Sequence, residues 1–210
     1  MNLKVFFGRI GVMLYLGLRI YSIWSFIYRF LFERRFNQIP LSRFATLDAA
    51  HKKVIKMKWT SDSWKQLFDA VSSPQKVEAI VDGTEPQPAH GTDCDEFAIY
   101  LANTIDASLI DPTVPLQASE PDLHEATMMT VTWVDKNGKY GGHNVCLLEY
   151  RKDSGEVEYR YMDYGLPNPP KLNPGEVAEM IVDRYASGGG TLLAYAIHSK
   201  NMWTRMVKSG

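Results

Sequence analysis

The sequence predicts an α+β fold, with helices first and an antiparallel sheet afterwards. Capped, amphipathic segments typical of helices occupy the first half of the chain, and segments of alternating apolar and polar residues typical of strands occupy the second half. The length, 210 residues, is sufficient for one domain with an appendage. We therefore expect an N-terminal segment, residues 1–36, followed by one folded domain, residues 37–210.

The N-terminal segment is dominated by apolar side chains. Residues 3–32 are almost entirely apolar or aromatic and are predicted to form one hydrophobic helix. Its small and polar residues recur at steps of three or four, so they share one stripe of the helix: Gly8, Gly11, Tyr15, Arg19, Ser22, Ser25 and Arg29. A helix whose remaining circumference is apolar needs a cover other than water.

Three environments for this helix fit the pattern. It lies in or across a bilayer, packs against further copies of the chain, or packs on its own domain. A membrane surface or a homo-oligomer is therefore the expected partner of residues 3–32, and a membrane-associated or cytoplasmic location is favoured. A cleaved signal peptide is not expected, because Arg19 and Arg29 interrupt the apolar stretch.

Charge separates the two parts of the chain as well. Residues 1–36 contain six basic residues and one acidic residue, a balance of +5, so a chain of net charge −1 leaves −6 on the remainder. An acidic domain is poorly suited to neutralising phosphates, and nucleic acid is not an expected partner. The basic charge is confined to the apolar segment, which favours a membrane surface or a protein partner there.

Capping residues and alternation mark the elements of the domain in order. After a linker at 34–40, helices are expected at 48–57, near 64–71, from Ser73 to Val81 with Pro74 in the first turn, and from Cys94 to Ile105 with Asp93 as N-cap. Strands are expected at 127–134, 143–151, 156–163 and 192–198, with turns at 135–138 and 152–155 and a helix at 176–185 before the last strand.

Cys94 is a candidate nucleophile because it begins a predicted helix. Unpaired N–H groups at a helix start favour a thiolate and can also stabilise an oxyanion. Its acidic neighbours oppose a negative charge on sulfur, so a cationic partner is needed; they are Asp93, Asp95 and Glu96. A buried, inert cysteine is the alternative. Cys146, within an apolar strand, is expected to be such a residue, and two free thiols are favoured over a disulfide.

His143 and Asp163 supply the two groups that a thiol nucleophile requires. His143 follows two glycines that leave room for a substrate, and its imidazole can take the thiol proton. The turn at 152–155 folds the strand that ends at Asp163 back along the strand of His143, so a carboxylate can orient the ring. The sequence therefore predicts a catalytic triad of Cys94, His143 and Asp163, against the alternatives of a structural histidine and an ordinary aspartate.

The run Gly91-Thr92-Asp93-Cys94-Asp95-Glu96-Phe97-Ala98 resembles the cysteine motif of the transglutaminase-like superfamily, and most closely that of the bacterial transglutaminase-like cysteine peptidases. Asp62-Ser63-Trp64 with Ser73-Pro74 resembles the approach to that motif, and Gly142-His143-Asn144-Val145 and Tyr161-Met162-Asp163 resemble the histidine and aspartate strands. The resemblance covers about residues 59–165.

This resemblance implies a papain-like core in which the cysteine helix packs against the sheet that carries His143 and Asp163. The implied activity is cysteine-dependent hydrolysis of peptide or amide bonds in a protein or peptide substrate. A transglutaminase-type acyltransferase and a catalytically inactive structural or interaction module remain open. No cofactor is expected, although calcium near the acidic motif is an alternative that some relatives suggest.

Overall fold

The computed structural model describes residues 3–18, 20–58, 71–86, 92–186 and 189–210. The helices of these residues are α1 Leu3–Gly17, α2 Ile20–Phe32, α3 Leu47–Val54, α4 Pro74–Val81, α5 Cys94–Leu109, α6 Leu116–Ser119 and α7 Pro174–Tyr185, with a 3₁₀ turn at Arg34–Phe36. The strands are β1 Leu123–Asp135, β2 Tyr140–Arg151, β3 Val157–Met162, β4 Gly190–His198 and β5 Thr204–Ser209.

The strands form one antiparallel sheet in the order β3-β2-β1-β4-β5. Tight turns join β1 to β2 and β2 to β3, and each turn contains a glycine at positive φ, Gly138 at 76° and Gly155 at 84°. Both turns lie where the sequence placed them. The α+β class and the antiparallel sheet are therefore confirmed.

The sheet is covered by helices on both faces. On one face α5 crosses β1 and β2; this α5 face carries Ala126, Met128, Cys146, Leu148 and Met162. On the other face α7 packs on the sheet; this α7 face carries Val131, Val145, Leu147, Tyr161 and Tyr195. Since side chains alternate along a strand, each position of β1 and β2 belongs to one of the two faces.

The N-terminal segment forms two helices rather than the single predicted helix. α1 and α2 are bent by 42° relative to one another. In the described part of the chain no single helix is long and apolar enough to cross a bilayer, whereas the bent pair Val5–Gly17 and Ser22–Phe32 together has the length and composition of a span. The pair lies against the domain, with α1 on β4 and β5.

Some predicted elements differ in their limits from those observed. Helix α3 begins one residue before Asp48, because Thr46 rather than Asp48 caps it by accepting a hydrogen bond from Ala49 N. Helix α5 runs on to Leu109, and β5 was not predicted because this edge strand is short and partly exposed. Except for Val71, the helix predicted near 64–71 lies outside the described residues.

Candidate active site

Helix α5 begins at Cys94 because the preceding residue caps it fully. Asp93 Oδ1 accepts a hydrogen bond of 2.8 Å from Asp95 N, and Asp93 N donates to Glu96 Oε2 at 3.2 Å, which completes a capping box. Ser72 N donates to the other oxygen of Glu96 and ties the preceding segment to the same turn. These contacts fix the first helical position, so Cys94 presents its sulfur at the helix N-terminus, as predicted.

The surroundings of the thiol nevertheless oppose its ionisation. Cys94 Sγ donates to Asp95 Oδ1 at 3.4 Å and lies 4.0 Å from Asn144 Nδ2. Burial raises the pKa of the Cys94 thiol well above its ordinary value, and the charges of Asp95 and Asp93 raise it further. The backbone of Asn144 offsets only part of this effect. The resting sulfur is therefore a protonated thiol, and the field of the helix end does not overcome two adjacent carboxylates.

His143 and Asp163 lie side by side, as counting along the hairpin predicts. His143 Nε2 is 3.6 Å from Asp163 Oδ2, and Tyr185, the last residue of α7, donates its hydroxyl to the same oxygen. Burial alone raises the pKa of the Asp163 carboxyl, but the nearby imidazole of His143 and the hydrogen bond from Tyr185 outweigh it and bring the pKa to about 2. Asp163 is thus a buried carboxylate at neutral pH, held ready to orient an imidazole.

The strand register assigns His143 and Asn144 to opposite faces of the sheet. His143 is opposite Val131 in β1, on the α7 face, and its ring centroid lies 4.2 Å from that of Tyr185. Asn144 is opposite Thr130 and points to the α5 face, where it meets Cys94. Among the described residues, no hydrogen bond joins Cys94 to His143. The structure therefore brings His143 and Asp163 together and holds the thiol against the neighbouring asparagine.

A chain of hydrogen bonds extends from this asparagine across β1 and β4 to the edge strand β5, along the α5 face of the sheet. Thr130 Oγ1 donates to Asn144 Oδ1 and lies 2.8 Å from His198 Nε2, and Asn144 Nδ2 donates to Asp95 Oδ1. Thr204 Oγ1 lies 3.2 Å from His198 Nδ1. Burial lowers the pKa of His198 to about 4, so its ring is neutral and has one donor nitrogen and one acceptor nitrogen.

The hydrogen positions of this chain follow from its chemistry. Since Thr130 gives its only hydroxyl proton to Asn144, His198 Nε2 must be the donor to Thr130, and His198 Nδ1 must accept from Thr204. The chain fixes the amide of Asn144 with its NH₂ group toward Asp95 and the thiol. Sequence reasoning found none of these roles. The only signal in the sequence was that Asn144 directly follows His143, so its side chain points to the opposite face of the sheet, where Cys94 lies.

Tyr164 lies between the thiol and the imidazole–carboxylate pair. Its ring centroid is 4.5 Å from that of Phe97, one turn along α5 from Cys94, and 6.5 Å from that of His143. Burial raises the pKa of the Tyr164 hydroxyl, and the charges of Cys94, Asp93 and Asp163 raise it further. Tyr164 and Tyr185 thus form aromatic walls for the site.

The other sequence candidates contribute less to this geometry. Cys146 is fully buried, and burial raises its pKa, in agreement with an inert thiol; neither cysteine forms a disulfide. The ligand atoms of Asp93, Cys94 and Asp95 lie within 4.8 Å of one another. Calcium prefers six to eight oxygen ligands, so this cluster is a poor match for it. Trp64, part of the segment that resembles the approach to the cysteine motif, lies outside the described residues.

A scan against protein-family models and a search of curated proteins found no match to this sequence. The likeness of its motifs to the transglutaminase-like superfamily therefore stays a prediction.

Proposed function

We propose that the protein is a cysteine-dependent hydrolase of peptide or amide bonds that uses Cys94, His143 and Asp163 as its triad. The observation that carries the proposal is the buried His143–Asp163 pair, 3.6 Å apart, one residue along β2 from the asparagine that contacts a thiol at a helix N-terminus. A papain-like core, with α5 as the cysteine helix on the sheet, belongs to the same proposal.

The proposed reaction has two halves. The thiol proton of Cys94 passes to His143 while the sulfur bonds to the carbonyl carbon, and the N–H groups at the start of α5 stabilise the oxyanion. The C–N bond then breaks and the leaving amine takes the proton from His143. Water, deprotonated by His143, attacks the thioester; the new C–O bond replaces the C–S bond and the thiol regains its proton. Asp163 remains ionised and orients the imidazole throughout.

The raised pKa of Cys94 determines how this reaction starts. A stored thiolate–imidazolium pair is disfavoured beside Asp93 and Asp95, so proton transfer and attack on the carbonyl take place together. The thiol must also turn away from Asp95 Oδ1 by rotation about its Cα–Cβ bond before it meets the base. We propose that substrate binding near Tyr164 triggers this rotation, because Tyr164 lies between the thiol and the imidazole.

A non-catalytic interaction module is a second candidate, and one observation favours it. In the described residues the sulfur is hydrogen-bonded within the α5 face, while the imidazole belongs to the α7 face. In such a module Cys94 and Asn144 are structural groups under the helix end, and the thiol has no enhanced reactivity at any pH.

Thiol alkylation as a function of pH separates these candidates. Iodoacetamide labelling of Cys94, followed by intact mass in a Cys146→Ala background, should gain rate from His143 near neutral pH if a base assists the thiol, while burial and Asp95 keep the absolute rate low. His143→Ala should remove the enhancement. His124→Ala, at an exposed position of β1, is the matched control and should keep it. A rate that His143→Ala leaves unchanged would rule out the hydrolase.

The acceptor is tested separately on peptides that the enzyme cleaves. A labelled primary amine supplied with the peptide distinguishes water from an amine as acceptor. Incorporation of the label in preference to hydrolysis would assign the transglutaminase-type reaction instead.

A further inference from the structure

Helix α2 is amphipathic, but its polar side faces the domain. A helix on a domain in water instead turns its apolar residues to the core and its polar residues to the solvent. Of the stripe found in the sequence, Ser22, Ser25 and Arg29 face the domain. Most bulky apolar residues of α1 and α2 face outward, although Leu16 of α1 is buried.

The inward contacts are specific and buried. Ser22, whose side chain is 1% exposed, donates to Met202 O, and Val71 N donates to the fully buried Ser25 Oγ at 3.3 Å. Arg29 donates from Nε and Nη2 to two successive backbone carbonyl groups, each at 2.9 Å, which are those of Val71 and Ser72. These bonds attach α2 to the segment that leads into α4 and to the turn between β4 and β5.

The end of α2 is held in the same way. Glu33, also 1% exposed, accepts from Ser73 N at 2.6 Å and pairs with Lys76 Nζ at 3.0 Å. Tyr15 of α1 packs against the apolar cluster that contains Val71 and Met202. The polar groups of Ser22, Ser25, Arg29 and Glu33 are thus all bonded to the domain.

The outward residues form a continuous apolar surface. We call the following residues the apolar surface, each between 37% and 70% exposed: Leu3, Phe6, Phe7, Ile10, Leu14, Leu18, Ile20, Ile23, Trp24, Phe26, Ile27, Phe30, Leu31 and Phe32. Trp203 of the β4–β5 turn extends it, with its ring 6.4 Å from that of Phe26. Elsewhere, exposed apolar residues such as Ile110 and Leu172 occur singly. A surface of this size is not left to water.

The contacts between α2 and the domain determine how the two helices can lie in a bilayer. A spanning pair is surrounded by lipid, and it would have to give up the buried bonds of Ser22, Ser25 and Arg29 to the domain. A pair lying in the interface keeps them all and buries only the apolar surface. The observed packing therefore matches helices that lie in the plane of the membrane.

Charge favours lipid over a second copy of the chain as the cover. Residues 1–36 carry +5 against −6 on the remainder, and two copies joined through this segment would bring the two +5 balances together. Anionic headgroups instead complement that charge. Arg34, exposed with its guanidinium 5.2 Å from the ring centroid of Phe30, lies at the border of the apolar surface. Trp24 and Trp203 are partly exposed aromatics of the kind that prefer the headgroup level.

We infer that the apolar surface of α1 and α2 seats the domain on the interfacial region of an anionic lipid bilayer, with both helices in the membrane plane. This inference is independent of the proposed hydrolase activity, since none of the residues that carry it belongs to the triad.

Vesicle flotation of the full chain tests the inference. The protein should float with phosphatidylcholine vesicles that contain phosphatidylglycerol, and less with phosphatidylcholine alone. Leu14→Glu and Leu31→Glu should each lower the partition coefficient roughly tenfold, because each removes one apolar side chain from lipid. Ile110→Glu and Leu172→Glu are the matched controls and should leave flotation unchanged, since their positions are equally exposed but lie apart from α1 and α2.

Three results would overturn the inference. The unsubstituted protein fails to float with anionic vesicles, or the test and control substitutions reduce flotation equally. Alternatively, analytical ultracentrifugation shows an oligomer that Leu14→Glu dissociates while vesicles are not bound, which would assign the surface to further copies of the chain.

Orientation is measured on the bound protein. Asn2→Cys and Asn37→Cys, each in a Cys94→Ser background, flank the two ends of the pair, do not belong to the apolar surface and report these ends to a membrane-impermeant maleimide. Helices in the plane expose both ends to reagent outside the vesicles. Protection of one end alone would indicate a span and refute the in-plane arrangement.

Discussion

The buried carboxylate of Asp163 makes the stability of the protein depend on pH in a defined window. The nearby imidazole of His143 and the hydrogen bond from Tyr185 outweigh burial and bring its pKa from 3.8 to about 2. A carboxyl whose pKa is depressed in the folded state stabilises that state above the unfolded pKa, and the effect is lost as the pH falls through the folded pKa. The size corresponds to roughly 2 kcal/mol at neutral pH.

Asp163→Asn removes this titration and should give a pH-dependent loss of stability. The contribution of the carboxylate is about 2 kcal/mol at pH 5 and falls below about 1 kcal/mol at pH 2.5. The difference in unfolding free energy between the unsubstituted protein and Asp163→Asn should therefore shrink by roughly 1–2 kcal/mol between these two pH values. Urea denaturation followed by tryptophan fluorescence measures it, since Trp133 is buried in the sheet.

A control and a refuting result complete this experiment. Asp153→Asn, in the exposed turn after β2, removes one negative charge without touching the site. A stability difference for Asp163→Asn that stays constant from pH 7 to pH 2.5 would show that neither His143 nor Tyr185 stabilises the ionised form, and the assigned role of Asp163 would fail.

The remaining predictions concern the neighbours of the triad. Tyr185→Phe deletes the hydroxyl that donates to Asp163 and should lower the unfolding free energy by about 1.5–3 kcal/mol in urea, the range for a hydrogen bond to a charged group. Asp95→Asn removes the nearest negative charge from the thiol, so alkylation of Cys94 at pH 8 should become several-fold faster; an unchanged rate would contradict the assigned cause of its raised pKa. His198 has its pKa lowered to about 4 by burial, so the protein should lose stability as the pH falls from 6.5 toward 4, and His198→Gln should abolish that slope in urea titrations.

Local chemistry made much of the fold predictable. Short-range interactions between residues close in the sequence determine several elements. These are the N-cap of α5, the turns that end at Gly138 and Gly155, and the strands around those turns. The break of the N-terminal helix was not predictable in this way. The two helices dock separately, α1 on β4 and β5 and α2 through Ser22 and Arg29 onto distant backbone carbonyl groups, while the helical period of the segment is the same with or without a bend.

The candidate site was likewise predictable only in part. Pairing across the hairpin placed Asp163 near His143, because antiparallel register follows from turn length. The contacts of Asn144 with Thr130 and His198 required three strands to assemble, and no spacing in the sequence encodes them. Counting along a hairpin identifies the residues that are neighbours across the two strands. It does not identify the groups that each side chain meets, because these belong to the helices packed on the two faces of the sheet.

The choice between the two proposed functions depends on the alternation of side chains along β2. His143 and Asn144 are adjacent in the chain, yet one meets Tyr185 under α7 and the other meets Cys94 under α5. Strand β3 ends at Met162, which pairs with Cys146 of β2, so the segment of β2 that contains His143 and Asn144 has no strand partner on the β3 side. Tyr164 occupies this gap. An imidazole and a thiol on opposite faces can meet only around such an open edge. If Tyr164 is the gate, Tyr164→Ala should raise Cys94 alkylation in a His143-dependent manner. In an inactive module the same substitution would raise the rate equally with and without the histidine.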